Sequence, residues 1–352
     1  MTSITRGGPP PPDWREGPLR IVAIGGGTGL STLLHGLKAY ARPTQPFPAD
    51  LTAVVTVSDD GGSSGRLRRD FKVLPPGDIR NCMVALSEDA ALLSRLFRYR
   101  FAGGRGLKGH SFGNLFLTAL TNVTGDFAEA VKVSCEVLAI AGRIYPATKR
   151  NVVLEAELED GSVVLGETRI SKARSRIRRI RTNPRRCRPM DETLRAIAAA
   201  DVITLGPGSL FTSIIPNLLV QGIPKAIAES PAVKACIVNL MWQPGETLEF
   251  TAADHVAAIA THAGRNLLDY VVVNTCPVGP AALKKYARQK ALPVENDIER
   301  LCAMGVRVVA RDLLQRGERI RHDPAATAEV VVELAAEGRQ RKQQKRDALA
   351  GA

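Results

Sequence analysis

The chain has 352 residues, 45% of them hydrophobic and 5% aromatic, with six cysteines and a formal net charge of +13. That length is ample for one large or two smaller α/β domains with a substantial core. With no long apolar run, no charged-then-apolar leader and no CxxC pair, a membrane span, export and a disulfide or zinc framework are not expected, and a cytoplasmic protein with reduced thiols is.

In chain order, residues 1–18 are rich in Pro and Gly and are expected to be disordered. The apolar run IVAI then stops at Gly25, Gly26 and Gly27, followed by Thr28, Gly29 and the helix-like LSTLLHGLKAY. This is a strand, a side-chain-free turn and a helix N-terminus, whose unpaired N–H groups and dipole suit a phosphate. It is not a Walker A loop, and Leu30 stands where a strict GxGxxG would place its third glycine. A second buried-strand pattern, LTAVVTVSDDGGSSG, ends in Asp59 and Asp60. Carboxylates at that place meet ribose hydroxyls in nucleotide-binding units, or hold Mg²⁺ beside a diphosphate, or simply make an Asx turn.

Residues 78–140 read mainly as helices from their 3.6-residue apolar spacing. In LPPGDIRN, Asp78 reads as a helix cap, whereas Arg80, an arginine in a first turn that opposes the dipole, is the better functional candidate, with Asn81 beside it. In LKGHSFGN, His110 and Asn114 share a glycine loop with Lys108, and His110 has three roles open to it: phosphate ligand, proton donor or cap. Residues 151–170 read as a β-hairpin turning at Asp160–Gly161, and a basic strand follows in which Arg174, Arg176 and Arg178 alternate onto one face. Helix and strand then alternate: a helix near 191–200, strands near 202–206, 235–239, 270–274 and 306–310, and a last helix at about 324–337. DVITLGPGSLFTSIIP repeats the strand–glycine turn–helix pattern with Gly206, Gly208 and Ser209, where Ser209 is either an N-cap or a ligand contact. Two such turns suggest a ligand with two anionic or polar ends. ERIRHDP brings Arg319, Arg321 and His322 together just before the last helix, and a guanidinium there would suit bidentate phosphate binding.

The basicity is local. Ten Lys or Arg and no acid fall within 168–190, and residues 339–352 carry five bases and one acid, which leaves the rest of the chain near neutral. No aromatic residue interleaves the first cluster, so stacking platforms are missing and nucleic acid is not expected. A solvated basic edge and an anionic partner both stay open.

GGGTGLSTLL, VTVSDDGGSSGRLRRD, LPPGDIRNCMVALSE, LKGHSFGNLFLTALT and LGPGSLFTSIIPNLL, in that order, resemble the YvcK-type gluconeogenesis factor family, over about residues 20–335. The wider superfamily includes 2-phospho-L-lactate transferase, which joins a deazaflavin to a phospholactyl group supplied from a nucleotide diphosphate. The resemblance implies a cytoplasmic bacterial protein that binds a nucleotide sugar, notably UDP-N-acetylglucosamine, or NAD as an alternative. Its role would lie in growth on gluconeogenic carbon sources and in cell shape and wall synthesis. It also implies that Gly25–Gly29 and Gly206–Ser209 hold phosphates, that Asp59 and Asp60 meet ribose, base or metal, and that Lys225 and Arg321 are cations contacting sugar or phosphate.

The expected architecture is a Rossmann-like, doubly wound, mostly parallel sheet with helices on both faces and an inserted β-hairpin. One nucleotide-sugar-binding domain would span 19–338, with a basic tail at 339–352. Two functions are carried forward. One is a non-catalytic regulator that binds a nucleotide sugar, with a homo-oligomer and cell-wall synthesis proteins as candidate partners. The other is a transferase using a nucleotide-diphosphate donor with Mg²⁺.

Overall fold

The structure, a computed structural model, describes residues 17–350 except 43, 46, 88–91, 174 and 318. All but the last two residues of the Pro- and Gly-rich leader therefore lie outside the described residues, as does Arg174 of the basic strand. The chain runs β1 (Leu19–Gly25), α1 (Gly27–Leu37), β2 (Ala49–Val55), α2 (Gly62–Phe71), α3 (Gly77–Leu86), α4 (Leu92–Arg98), α5 (Phe112–Thr124), α6 (Phe127–Val137) and β3 (Arg143–Pro146). An excursion follows: β4 (Val153–Leu158), β5 (Val163–Leu165), α7 (Glu167–Ile170) and β6 (Ile177–Asn183). The chain then returns through α8 (Asp191–Ala199), β7 (Val202–Leu205), a π-helical turn at Leu210–Ile214, α9 (Ile215–Leu218), α10 (Ile223–Glu229) and β8 (Val233–Ile237). It closes with α11 (Ala252–Ala263), β9 (Tyr270–Asn274), α12 (Pro280–Ala287), α13 (Ile298–Ala303), β10 (Arg307–Arg311) and α14 (Pro324–Ala350).

Seven parallel strands form the main sheet in the order β10-β9-β8-β7-β1-β2-β3. Helices cover both of its faces, which is why β1 and β2 read as continuous apolar runs and not as an alternation. The direction of winding reverses between β1 and β7, where Ile24 pairs with both Val54 and Leu205. α1 follows from its spacing, since Leu30, Leu33, Leu34 and Leu37 are its buried face. α6 is capped by Asp126, whose carboxylate accepts from the N–H groups of Ala128 and Glu129. Thr251 and Asp254 cap α11 reciprocally.

The doubly wound parallel sheet is as expected, with three differences in detail. The hairpin is real, but its second strand ends at Leu165, because Gly166 turns the chain into α7. With β6 it makes a separate antiparallel sheet in the order β5-β4-β6, and buried Leu154, Ala156 and Ile180 join it to the single apolar core. The basic strand does not alternate cleanly. A shift of register at Glu157–Leu158 leaves Arg178 and Arg179 both exposed, and Arg176 precedes the strand. Its arginines are partly neutralised: Arg178 pairs with Glu157 at 3.1 Å, Arg181 with Glu157 at 3.5 Å, and Arg176 with Glu249.

The third difference is the C-terminus. The last helix does not give way to a tail at 337 but continues to Ala350. Arg339 and Lys342 reach the almost fully buried carboxylate of Asp201, at 2.6 and 2.7 Å, and the Arg20 N–H donates to the same carboxylate at 2.9 Å. These donors hold Asp201 below the usual carboxylate range. Gly338 permits the contact, since a Cβ there would lie 1.9 Å from the Asp201 carbonyl oxygen. Arg339 also donates to the carbonyls of Gly17 and Pro18, which ties the start of the described chain to its end. All six cysteines are free. No single helix among the described residues is long and apolar enough to cross a membrane.

Candidate functional site

The reversal point between β1 and β7 is where an open α/β sheet presents a crevice at its strand ends, and a cleft of about 430 Å³ lies there. Its floor is the two glycine turns, Gly26–Gly29 and Pro207–Ser209. The two turns pack on one another and so form one continuous floor. A Cβ on Gly29 would sit 2.4 Å from the Pro207 carbonyl oxygen and 2.8 Å from Gly208 Cα. Gly29 is therefore glycine because one turn rests on the other. The Asn217 amide locks the second unit to the first by donating to the carbonyls of Gly25 at 3.1 Å and Ser213 at 2.7 Å. Gly25 and Gly206 belong to this interior and do not line the cleft.

Thr28 and Gly29 open α1 into the cleft, and no cap side chain from Gly26 covers that end. Ser209 makes no cap bond for the turn that follows it. Its hydroxyl accepts instead from the Gln243 amide at 2.8 Å, and Asn239 donates to the Gln243 carbonyl oxygen at 3.2 Å. The 239–244 loop thus forms a wall of polar groups, closed by Trp242, whose indole N–H donates to the Phe250 carbonyl at 3.0 Å. The opposite wall comes from α12 and from Ile320, Arg321 and His322 ahead of α14. His322 is buried, and its Nε2 donates to the Val238 carbonyl at 3.1 Å, since a carbonyl can only accept. Burial pushes its pKa down to about 4, so the ring is neutral near pH 7. Arg321 is the exposed cation of that wall.

Beyond the end of β2 lies a concentration of carboxylates. Asp59 accepts from the Gly61 N–H at 2.8 Å, and a Cβ on Gly77 would lie 2.8 Å from its other oxygen, so it stands at the start of α3. Asp60 is occupied structurally, accepting from the N–H and hydroxyl of Thr168 at 2.9 and 2.6 Å, and so pins α7 to the main sheet. Neither aspartate lines the cleft. Asp78 is not a cap of its own helix, which carries no side-chain cap. Its carboxylate accepts from the Gly27 N–H at the head of α1, and would lie 2.8 Å from a Cβ on Gly26. Burial first, and then the Asp59 charge, raise its pKa to about 6. Glu167 is raised to about 9 by burial and then by Asp78, Asp59, Glu246 and Asp60. Glu246 is buried and shifted upward too; one oxygen accepts from Thr212 at 3.0 Å and Ser171 at 3.2 Å, and the other has no partner.

His110 and Asn114 converge on Ser63, His110 Nδ1 lying 3.0 Å from its hydroxyl and the Asn114 amide donating to it at 3.1 Å. Burial and the nearby Arg66 lower the His110 pKa, which favours the neutral ring. Arg80 donates to Asn81 at 2.5 Å, and both line a neighbouring groove between α1 and α3. Lys225 does not join any of these groups. It lies exposed on α10, 3.8 Å from Glu229, away from the cleft lining.

Asp78, Glu167, Glu246 and Gln243 were not legible as site residues. Asp78 reads as a local cap because its true partner is 51 positions earlier in the chain, and single acids in a hairpin and a loop carry no spacing signal.

A family model described as 2-phospho-L-lactate transferase CofD matches residues 21–314. The gluconeogenesis factor of Bacillus subtilis is 48% identical over 316 residues, covering 90% of this chain and 98% of that protein. That of Halalkalibacterium halodurans is 46% identical over 314 residues, covering 89% and 95%. A crystal structure of a UPF0052-family protein from Bacillus halodurans, 46% identical, superposes with a TM-score of 0.84 over 89% of this chain and 98% of that one.

Proposed function

Given that the chain belongs to the 2-phospho-L-lactate transferase CofD family, alongside the bacterial gluconeogenesis factors, we propose that it is a cytoplasmic regulator that binds a nucleotide sugar of the UDP-N-acetylglucosamine type without transforming it. The observation that carries this reading is the cleft at the winding reversal. It combines the first turn of α1, where Asp78 accepts from the Gly27 N–H, with the Ser209–Gln243 pair and the Arg321 guanidinium around a glycine-rich floor. The N–H groups of Thr28 and Gly29, which have no intrahelical partner, and the helix dipole favour a diphosphate, and a guanidinium adds a bidentate donor. The polar amides of Asn239 and Gln243 are suited to sugar or base hydroxyls and carbonyls. The role in growth on gluconeogenic carbon and in cell shape, through cell-wall synthesis proteins, is part of the same proposal.

The carboxylate cluster favours a second reading, a transferase with a nucleotide-diphosphate donor. Among the described residues no set of three or more His, Cys, Asp and Glu forms a ready-made metal cage. Mg²⁺ does not need one, since it takes one or two carboxylates together with substrate phosphates. Asp59 and Asp78 are the fitting pair, and their hard oxygens and mutual repulsion suit a cation; Asp60 is committed to Thr168. Bound there, Mg²⁺ would neutralise charge on a departing diphosphate. Glu167, protonated near pH 7, and neutral His110 are the groups of this chain able to hold or take a proton nearby.

Calorimetric titration with UDP-N-acetylglucosamine and with NAD, with and without Mg²⁺, tests both readings when the nucleotide is analysed afterwards. Saturable binding of the nucleotide sugar, recovered intact and weakened by Ser209→Ala and Arg321→Gln but not by Lys225→Ala, is the expected result. Release of UDP on adding an acceptor would favour the transferase. Failure of UDP-N-acetylglucosamine to bind would overturn the first reading.

A further inference from the structure

The basic segment of the chain divides into two populations. Arg176, Arg178 and Arg181, in and just before β6, are paired with Glu249 and Glu157. Past the end of β6 the pattern changes. A groove of about 1080 Å³ opens beyond the carboxyl end of β3, between the 148–150 loop, the connection from β6 into α8 and Gln221. Lys149, Arg150, Arg186 and Arg188 line it and are exposed, as is Arg185 next to them in the chain. Lys149 pairs with Asp126 at 2.8 Å. No carboxylate of the described residues pairs with Arg150, Arg185, Arg186 or Arg188. The acids of the lining are Asp191 and Glu192 in the first turn of α8, and Glu192 is paired with Arg195 at 3.3 Å. The two loops that carry the free guanidiniums are fastened together. The Thr148 hydroxyl donates to the Arg188 carbonyl at 2.7 Å and accepts from the Arg150 N–H at 3.2 Å. The Gln221 N–H donates to the Cys187 carbonyl at 3.0 Å, and the Cys187 side chain is buried. The backbone under Arg186 and Arg188 is therefore anchored before any partner arrives, which leaves only side chains to be ordered on binding.

Unpaired like charges along one groove repel one another and attract an anionic partner. The guanidinium heads are exposed and come from two loops, an arrangement that suits a series of carboxylates on an extended chain better than one enclosed phosphate. Among the described residues no aromatic side chain lines the groove, so bases would find nothing to stack on. Its apolar lining, Pro189 and Met190, is half-buried and offers no wedge to a lipid surface. We propose that this groove is a docking surface for an acidic peptide segment of a protein partner, with Arg150, Arg186 and Arg188 as its carboxylate-binding groups. The groove and the cleft share no lining residue, so substitutions address the two separately. The proposal stands whether or not the cleft binds a nucleotide sugar.

The test titrates the full chain into a fluorescein-labelled polyglutamate peptide at low salt and follows anisotropy. Exposed ion pairs are each worth roughly 1.4- to 5-fold in affinity. Saturable binding should therefore weaken about 3- to 100-fold when Arg150→Gln, Arg186→Gln and Arg188→Gln are combined, and should fall with added salt. The control combines Arg176→Gln, Arg178→Gln and Arg288→Gln, which removes the same charge from exposed positions outside the groove and should leave the affinity unchanged. Absence of saturable binding, or equal weakening in the two triple variants, overturns the proposal, since the second result assigns the peptide to overall charge. Tighter binding of a labelled oligothymidylate, or of phosphatidylserine vesicles, through the same three arginines would also overturn it and assign the groove to nucleic acid or to lipid. Unchanged thermal unfolding shows that the groove variant folds, and a parallel titration with UDP-N-acetylglucosamine reports on the cleft alone, so the two readings fail independently.

Discussion

Replacing Asp78 by Asn should stabilise the protein at neutral pH. The carboxyl is partly buried at the head of α1 beside Asp59, and its pKa rises from 3.8 to about 6. A folded-state pKa above the unfolded one means that the fold favours the protonated form. The associated stability is complete below 3.8 and is lost as pH climbs through about 6. A shift of about two units is worth at most about 3 kcal/mol, and the solvent that still reaches the side chain trims this to about 2 to 3 kcal/mol. Asn is neutral at every pH and its carbonyl oxygen can still accept from the Gly27 N–H, so the variant should escape the penalty. Urea unfolding of both proteins should give nearly equal stabilities at pH 4 and a gain of about 2 to 3 kcal/mol for Asn at pH 7.5. Asp78 also contributes to the raised Glu167 pKa, so the loss of wild-type stability towards pH 9 should be shallower in the variant. A gap that does not vary with pH, or an Asn variant less stable at pH 7.5, would refute the argument. Mg²⁺ should raise the melting temperature of the wild type and leave the variant unmoved if Asp78 holds the cation.

The basic C-terminal helix should be a structural element. Arg339→Ala strips one donor group from the buried Asp201 carboxylate while Lys342 and the Arg20 N–H remain, a change expected to cost about 1.5 to 3 kcal/mol. Adding Asp201→Asn should return part of that loss, and a single-variant effect below about 1 kcal/mol in urea unfolding would show the pair to be dispensable. Gly29→Ala should push the two glycine turns apart, with a loss of about 1 to 3 kcal/mol and weaker nucleotide-sugar binding. Gly103→Ala, where the added Cβ meets nothing within 4 Å, serves as the control and should change neither property in the same melting and titration assays.

Much of the fold is legible along the chain because its determinants are local. Strand and helix periods, glycine turns and the β4–β5 hairpin are written within a dozen residues each. Local signals also mislead where the tertiary partner lies far away. Gly166 ends a strand that the hairpin reading carries on to residue 170. Arg339 and Lys342 look like a solvated tail until Asp201, well over a hundred residues earlier, is placed beneath them.

The candidate site divides along the same line. The sequence by itself determined that glycine turns close β1 and β7 and open helices behind them, because only glycine lets backbone approach backbone there. It also placed Thr28, Ser209 and Arg321 among the candidates, and each lines the cleft. Only the tertiary structure decided that the two turns share one floor, that Lys225 stands apart, and that Asp60 holds a helix. It alone brought Asp78, Glu167 and Glu246 to one place. A pKa shift or an uncompensated charge depends on what lies within a few ångströms, and distance in the chain carries almost none of that information.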